Sequence, residues 1–110
     1  MSAVTPAELA RVNAELGRDA AGLTRWALGL GKNAIVTTNF RPFEAVILHL
    51  VTRVQPDMPV VWMDNGYNTE ATYRYADEVT RRLGLNLKTY LPLRTRAHRE
   101  AVEGPTPALD

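Results

Sequence analysis

The sequence predicts an α/β fold: a Rossmann-like parallel sheet layered with helices. Three observations carry the prediction. Three short apolar runs, residues 34–38, 59–64 and 85–91, read as strands. A stretch of helical periodicity separates each run from the next, so the chain alternates strand, helix, strand, helix, strand. Two strands joined through a helix must pair in parallel, with a right-handed crossover. With 110 residues there is material for one domain, able to bury roughly two thirds of its unfolded surface.

Two helices precede the sheet. "TPAELARVNAEL" opens with Thr5 as a cap, Pro6 at the first helical position and Glu8 three residues after Thr5, the spacing of a capping box. A second helix over about residues 18–30 places Leu23, Trp26, Ala27 and Leu30 on one face, and Gly29 and Gly31 end it.

Ala34 to Thr38 is the first strand. The helix after it, "FEAVILHLVTRV", is apolar almost all round and is expected to be well buried, with His49 a core histidine. "PVVWMD" follows as the second strand; its continuous apolar run fits a central strand covered on both faces. "EATYRYADEVTRRLG" then places Thr72, Tyr75, Ala76, Val79 and Leu83 on one stripe, with Gly84 as its stop. The third strand alternates Leu85, Leu87, Thr89 and Leu91 with Asn86, Lys88 and Tyr90, the pattern of an edge strand with one wet face. The expected strand order is therefore 3-2-1, which leaves the first strand with an open edge. The tail "VEGPTPALD" reads as loop or linker.

Composition excludes several classes. A formal net charge of +1 argues against a nucleic-acid or other polyanion binder. No apolar run approaches the ~18 residues of a membrane span, and the N-terminus lacks the order of a signal peptide, so a cytoplasmic protein is expected. There is no cysteine, hence no disulfide, thiolate metal site or thiol nucleophile from this chain. With two histidines and no HExxH-type spacing, no metal site is predicted.

In an open parallel sheet, ligands bind beyond the carboxyl ends of the strands. Three polar clusters fall there. The opening turn offers Thr37, Thr38 and Asn39, then Phe40 to lie against a base and Arg41 to reach a phosphate, yet Pro42 removes an N–H and Glu44 already answers the helix dipole. The plainer reading is an ordinary turn with Phe40 plugging the core. "DNGYNT" puts Asp64 at a strand end, a tight turn at Asn65-Gly66, and Asn68 or Thr69 as a helix cap; Asp64 either meets a ribose or adenine amino group or only shapes the turn. "RTRAHR" gathers Arg94, Arg96 and Arg99 near a helix start, suited to a phosphate or sulfate or simply to a solvated surface.

From about Ala34 to Arg99 the chain resembles the phosphoadenylyl-sulfate (PAPS) reductase family of the PP-loop adenine-nucleotide superfamily. The resemblance rests on the strand–turn with Phe40, "AVILHLV", "QPDMPVVWMD", the "GY" after Asp64, "TYRYADEV" and "LGLNLKTYLP", in that order. It implies an adenine-nucleotide alpha-hydrolase type of sheet, here truncated. It also implies reduction of PAPS or adenylyl sulfate to sulfite by a cysteine thiolate, with thioredoxin or glutaredoxin as electron donor.

Thr37, Thr38, Asn39 and Phe40 match the family's Ser-rich turn, and Asp64, Asn65 and Gly66 match its Asp-Thr-Gly turn; both look like walls of an adenosine pocket. Arg41 stands where the family has Gly, and Asn65 where it has Thr, the mark of a divergent subgroup. The ATP-cleaving relatives' Ser-Gly-Gly-x-Asp-Ser turn is not present. The family's Glu-Cys-Gly-x-His motif is also missing, so no residue of this chain is assigned a catalytic role. On this reading residues 1–31 form an N-terminal helical segment, 32–103 a nucleotide-binding α/β half-domain and 104–110 a tail. The partners implied are PAPS or adenylyl sulfate, thioredoxin, and either a second copy or a complementing C-terminal half at the open edge. The alternative is a non-catalytic adenine-nucleotide-binding module or remnant.

Overall fold

The structure is a computed structural model that describes residues 3–31 and 33–108. The expectations for residues 1, 2, 32, 109 and 110, including the boundary drawn at 32 and the end of the tail, lie outside the described residues. Helix α1 (Pro6–Leu16) starts as its cap predicts: Thr5 Oγ1 accepts the Glu8 N–H at 3.1 Å. Asp19 does the same for α2 (Ala20–Leu28), accepting from Gly22 N–H at 2.9 Å. The pair α1 and α2 pack on each other, and α2 packs on α3 (Glu44–Val54).

Strands β1 (Val36–Thr38), β2 (Pro59–Met63) and β3 (Asn86–Tyr90) form one parallel sheet with β2 in the centre. The order is the expected one. Val36 pairs with Val60 and Thr38 with Trp62, while Val60 pairs with Leu87 and Trp62 with Thr89. Partners in register share a face, so Val36, Val60, Trp62 and Leu87 form one apolar surface. Leu48 of α3 and Ala76 and Val79 of α4 (Glu70–Leu83) close over that surface, and Phe40 completes the core. Gly84 ends α4 at φ +61°, a left-handed conformation natural to glycine.

Two expectations about burial are corrected. Helix α3 is covered along one stripe only, through Leu48, Val51 and Thr52. Phe43 is 90% exposed, Val46 72% and Ile47 is half exposed, and His49 is on the surface rather than in the core. An all-round apolar sequence says that a helix can be buried on any side, not that cover exists on every side. In the same way β2 is covered on its helix face, whereas Met63, on the opposite face with Thr37, Lys88 and Tyr90, is 76% exposed.

The tail is also partly helical. Val102 and Glu103 belong to α5 (Arg96–Glu103), capped by Thr95, whose Oγ1 accepts the His98 N–H at 3.1 Å. Residues 104–108 carry no helix or strand.

Candidate functional site

The carboxyl ends of β1 and β2 are held level by the Thr38–Trp62 pairing, so the turns that leave them meet. Between them lies a cavity of about 400 Å³ lined by Asn39, Phe40, Arg41 and Pro42 on one side and Trp62, Met63, Asn65, Asn68 and Thr72 on the other. That volume falls in the range of small-molecule sites. Three asparagine carboxamides and a threonine hydroxyl supply both donors and acceptors, the equipment needed to read the edge of a base or a sugar hydroxyl. Larger grooves exist between α3 and α4 and at the amino ends of the strands, but the rim position is where open parallel sheets place their ligands.

The opening turn is built around Phe40. Its backbone is left-handed at φ +55°, unusual for a residue with a side chain, and its N–H donates to Thr38 Oγ1 at 2.9 Å. The ring is buried and meets the Trp62 ring edge-on, with centroids 5.0 Å apart. Phe40 thus serves as a core plug whose backbone shapes the cavity mouth. The two turn amides that a ligand anion would seek, those of Asn39 and Arg41, donate to Glu44 Oε2 at 3.2 and 2.7 Å. Thr37 and Thr38, with Asn39, Glu44, Val61 and Met63, line a smaller adjoining cavity of about 250 Å³ on the β1 side.

The second turn is organised by Asp64, which is 8% exposed. Its Oδ1 accepts the Gly66 N–H at 2.8 Å, the Asn68 Nδ2 at 3.0 Å and the Tyr73 hydroxyl at 2.8 Å. Its own N–H donates to the Tyr90 carbonyl at 2.9 Å, which fixes the turn to β3. Gly66 takes φ +84°, the conformation the tight turn requires. Thr69 caps α4 by accepting the Thr72 N–H at 3.2 Å, which leaves Asn68 free to point at Asp64 and line the cavity.

The arginine cluster sits beside this turn but outside the 400 Å³ cavity. Arg96 stacks over the Tyr67 ring at 5.0 Å and pairs with Glu100 at 2.9 Å, an interaction that raises its pKa further above the ordinary arginine value. Arg94 and Arg99 both pair with Glu103, at 3.3 and 3.5 Å. Three cations, Arg94 ahead of α5 and Arg96 and Arg99 within it, are thus set against two carboxylates of that helix.

Of the residues singled out in the sequence, Asn39, Phe40, Arg41 and Asn65 line the cavity directly; Thr37 and Thr38 line the adjoining cavity, Asp64 lines another beside Tyr90, and Gly66, Arg94, Arg96 and Arg99 line none of the three. Sequence reasoning did not assign Pro42, Trp62, Met63, Asn68 and Thr72 to the site. The strand register would have flagged Trp62, because a residue paired with Thr38 must stand beside the opening turn.

The family profile of the phosphoadenosine phosphosulfate reductase domain matches residues 33–108. A phosphoadenosine 5′-phosphosulfate reductase of Synechococcus sp. is 44% identical over 106 residues, which cover 94% of this chain and 45% of that protein. The protein of the same name from Xanthomonas euvesicatoria pv. vesicatoria is 46% identical over 99 residues, covering 88% of this chain and 41% of the relative. The chain therefore spans less than half the length of these relatives. Among solved structures, phosphoadenylyl-sulfate (PAPS) reductase from Candida auris, solved as a phosphate complex, superposes with a TM-score of 0.75 at 19% identity, over 94% of this chain and 52% of that one. At that identity the superposition bears on the fold alone.

Proposed function

Starting from a chain that belongs to the phosphoadenosine phosphosulfate reductase domain family, we propose that it forms the adenosine-holding part of a PAPS or adenylyl-sulfate reductase. The observation that carries the proposal is the meeting of the turn after β1, through Asn39, Phe40 and Arg41, with the turn after β2, through Asn65 and Asn68, around one polar cavity at the strand ends. The carboxamides of Asn39, Asn65 and Asn68 take the base and sugar. Arg41 is the cation among the lining residues, and Arg94, Arg96 and Arg99 take the phosphate and sulfate groups only by exchanging their Glu100 and Glu103 partners. Thr37, Thr38 and Phe40 shape the first wall, and Asp64 and Gly66 the second.

In the proposed reaction a thiolate attacks the sulfur of the adenylyl sulfate, the bond from sulfur to the phosphate oxygen breaks, and the nucleotide leaves. A dithiol such as thioredoxin or glutaredoxin then releases sulfite by exchange at the resulting sulfur–sulfur bond. This chain has no cysteine, so the thiolate has to come from another polypeptide segment. The exposed face of β2 at Met63 and the side of β1 that pairs with no strand among the described residues offer such a segment, or a second copy, a place to dock. A reducing cytoplasmic setting fits a thiol-dependent reaction. The absence of cysteine equally favours a second reading, a module that binds the nucleotide without reducing it.

Trp62 lines the cavity and reports on it. In a Trp26→Phe background it is the sole indole, and titration with PAPS should change its emission saturably, reversed by adenosine 3′,5′-bisphosphate. An emission unchanged by PAPS would overturn the binding proposal. Incubated alone with PAPS and a thioredoxin system, the chain should release no sulfite above the blank; turnover would overturn the division of labour proposed here.

A further inference from the structure

Resting on that reading of the cavity, we propose that Tyr73 is a positioning residue of the site, acting through Asp64 and Trp62 to hold both of its walls. Neither Tyr73 nor Asp64 lines the cavity. Their contacts nevertheless run to residues on each side of it. On one side the Tyr73 hydroxyl donates to Asp64 Oδ1 at 2.8 Å, the same oxygen that takes the Gly66 N–H and the Asn68 carboxamide. Three donors converging on one oxygen of a buried carboxylate fix its rotamer, and with it the direction in which Asn68 presents its remaining amide atoms to the cavity.

On the other side the Tyr73 ring lies against Trp62, with centroids 5.9 Å apart, and Trp62 meets Phe40 edge-on. Phe40 is the residue whose left-handed backbone turns the chain past Asn39 and Arg41. A left-handed conformation in a residue with a Cβ is strained and persists only where packing enforces it. The aromatic run Phe40–Trp62–Tyr73 supplies that packing. Tyr75, two residues on, adds a second tie by donating its hydroxyl to the Pro42 carbonyl at 3.2 Å. The start of α4 therefore clamps two turns that are far apart in sequence. Asp64, which the family resemblance assigns to the adenosine wall, acts here by orientation.

The test uses Tyr73→Phe, which keeps the ring against Trp62 and removes only the hydroxyl, beside Asp64→Asn. Two-dimensional ¹⁵N NMR of the unliganded chain reads the Gly66 amide and the Asn68 side-chain amide directly. Calorimetry with adenosine 3′,5′-bisphosphate reads affinity, and thermal melting reads stability. Tyr73→Phe should shift both sets of resonances and weaken nucleotide affinity by roughly tenfold, the scale of one hydrogen bond to a charged group. Unmoved Gly66 and Asn68 resonances would overturn the proposal. So would parental affinity in Tyr73→Phe alongside lost binding in Asp64→Asn, which would mean that Asp64 touches the ligand itself. A lowered melting temperature with parental affinity would reduce Tyr73 to a stability role and overturn it as well. If the parent chain binds no nucleotide, the proposed function fails by itself, while the resonances still decide whether Tyr73 orients the turn.

Discussion

Glu44 folds back onto the turn that precedes its own helix: its Oε2 accepts the Arg41 N–H at 2.7 Å and the Asn39 N–H at 3.2 Å, with the Thr38 hydroxyl at 3.5 Å. An internal carboxylate thus occupies the amides that an incoming anion would seek. Glu44→Ala should lower unfolding free energy by about 1 kcal/mol, the scale of a lost cap, as read by urea denaturation. It should also improve affinity for adenosine 3′,5′-bisphosphate relative to uncharged adenosine. An unchanged ratio would mean that the phosphates never approach the turn amides.

Phe40 joins the opening turn to the core through Trp62. Phe40→Ala removes a fully packed ring and should cost about 3–5 kcal/mol, a large share of the stability of so small a domain. Chemical denaturation of the variant checks this. A loss below 1 kcal/mol would show that the ring is not core.

Burial, with the Asp64 carboxylate beside it, raises the Tyr73 pKa above the usual tyrosine value of 10.0. The folded chain therefore holds this proton more tightly than the unfolded chain. The associated stability is fully present below pH 10 and is lost as pH rises beyond it, through the raised value. Stability measured across that alkaline window should fall less steeply in Tyr73→Phe than in the parent. Equal slopes would mean that Tyr73 ionises freely.

The side of β1 that pairs with no strand among the described residues and the exposed apolar side chains of Val46, Ile47 and Met63 leave hydrophobic surface facing water. Light scattering should show concentration-dependent association, relieved by Val46→Lys or Met63→Lys. A monodisperse monomer at high concentration would contradict this.

The elements were legible because local chemistry marks them. Thr5 and Thr69 cap where a cap was read, and Gly84 turns left-handed where a stop was read. Strand order followed from the polarity of β3. What the sequence did not reveal depends on which surfaces find a neighbour. The apolar run of α3 could not tell its covered stripe from the open one at Val46, nor reveal that His49 faces solvent. The site was legible as a rim but not atom by atom. Asp64 finds Tyr73 across nine positions, and the arginines of α5 find Glu100 and Glu103, so residues that look free to meet a ligand are already engaged.

Isothermal calorimetry of the chain with PAPS, adenylyl sulfate and adenosine 3′,5′-bisphosphate tests nucleotide binding most directly. Saturable heat with PAPS, weakened when Asn65 and Asn68 are both replaced by Ala, is the expected result. No heat with any of the three, from a sample shown to be folded, would contradict the assignment of the cavity to the nucleotide.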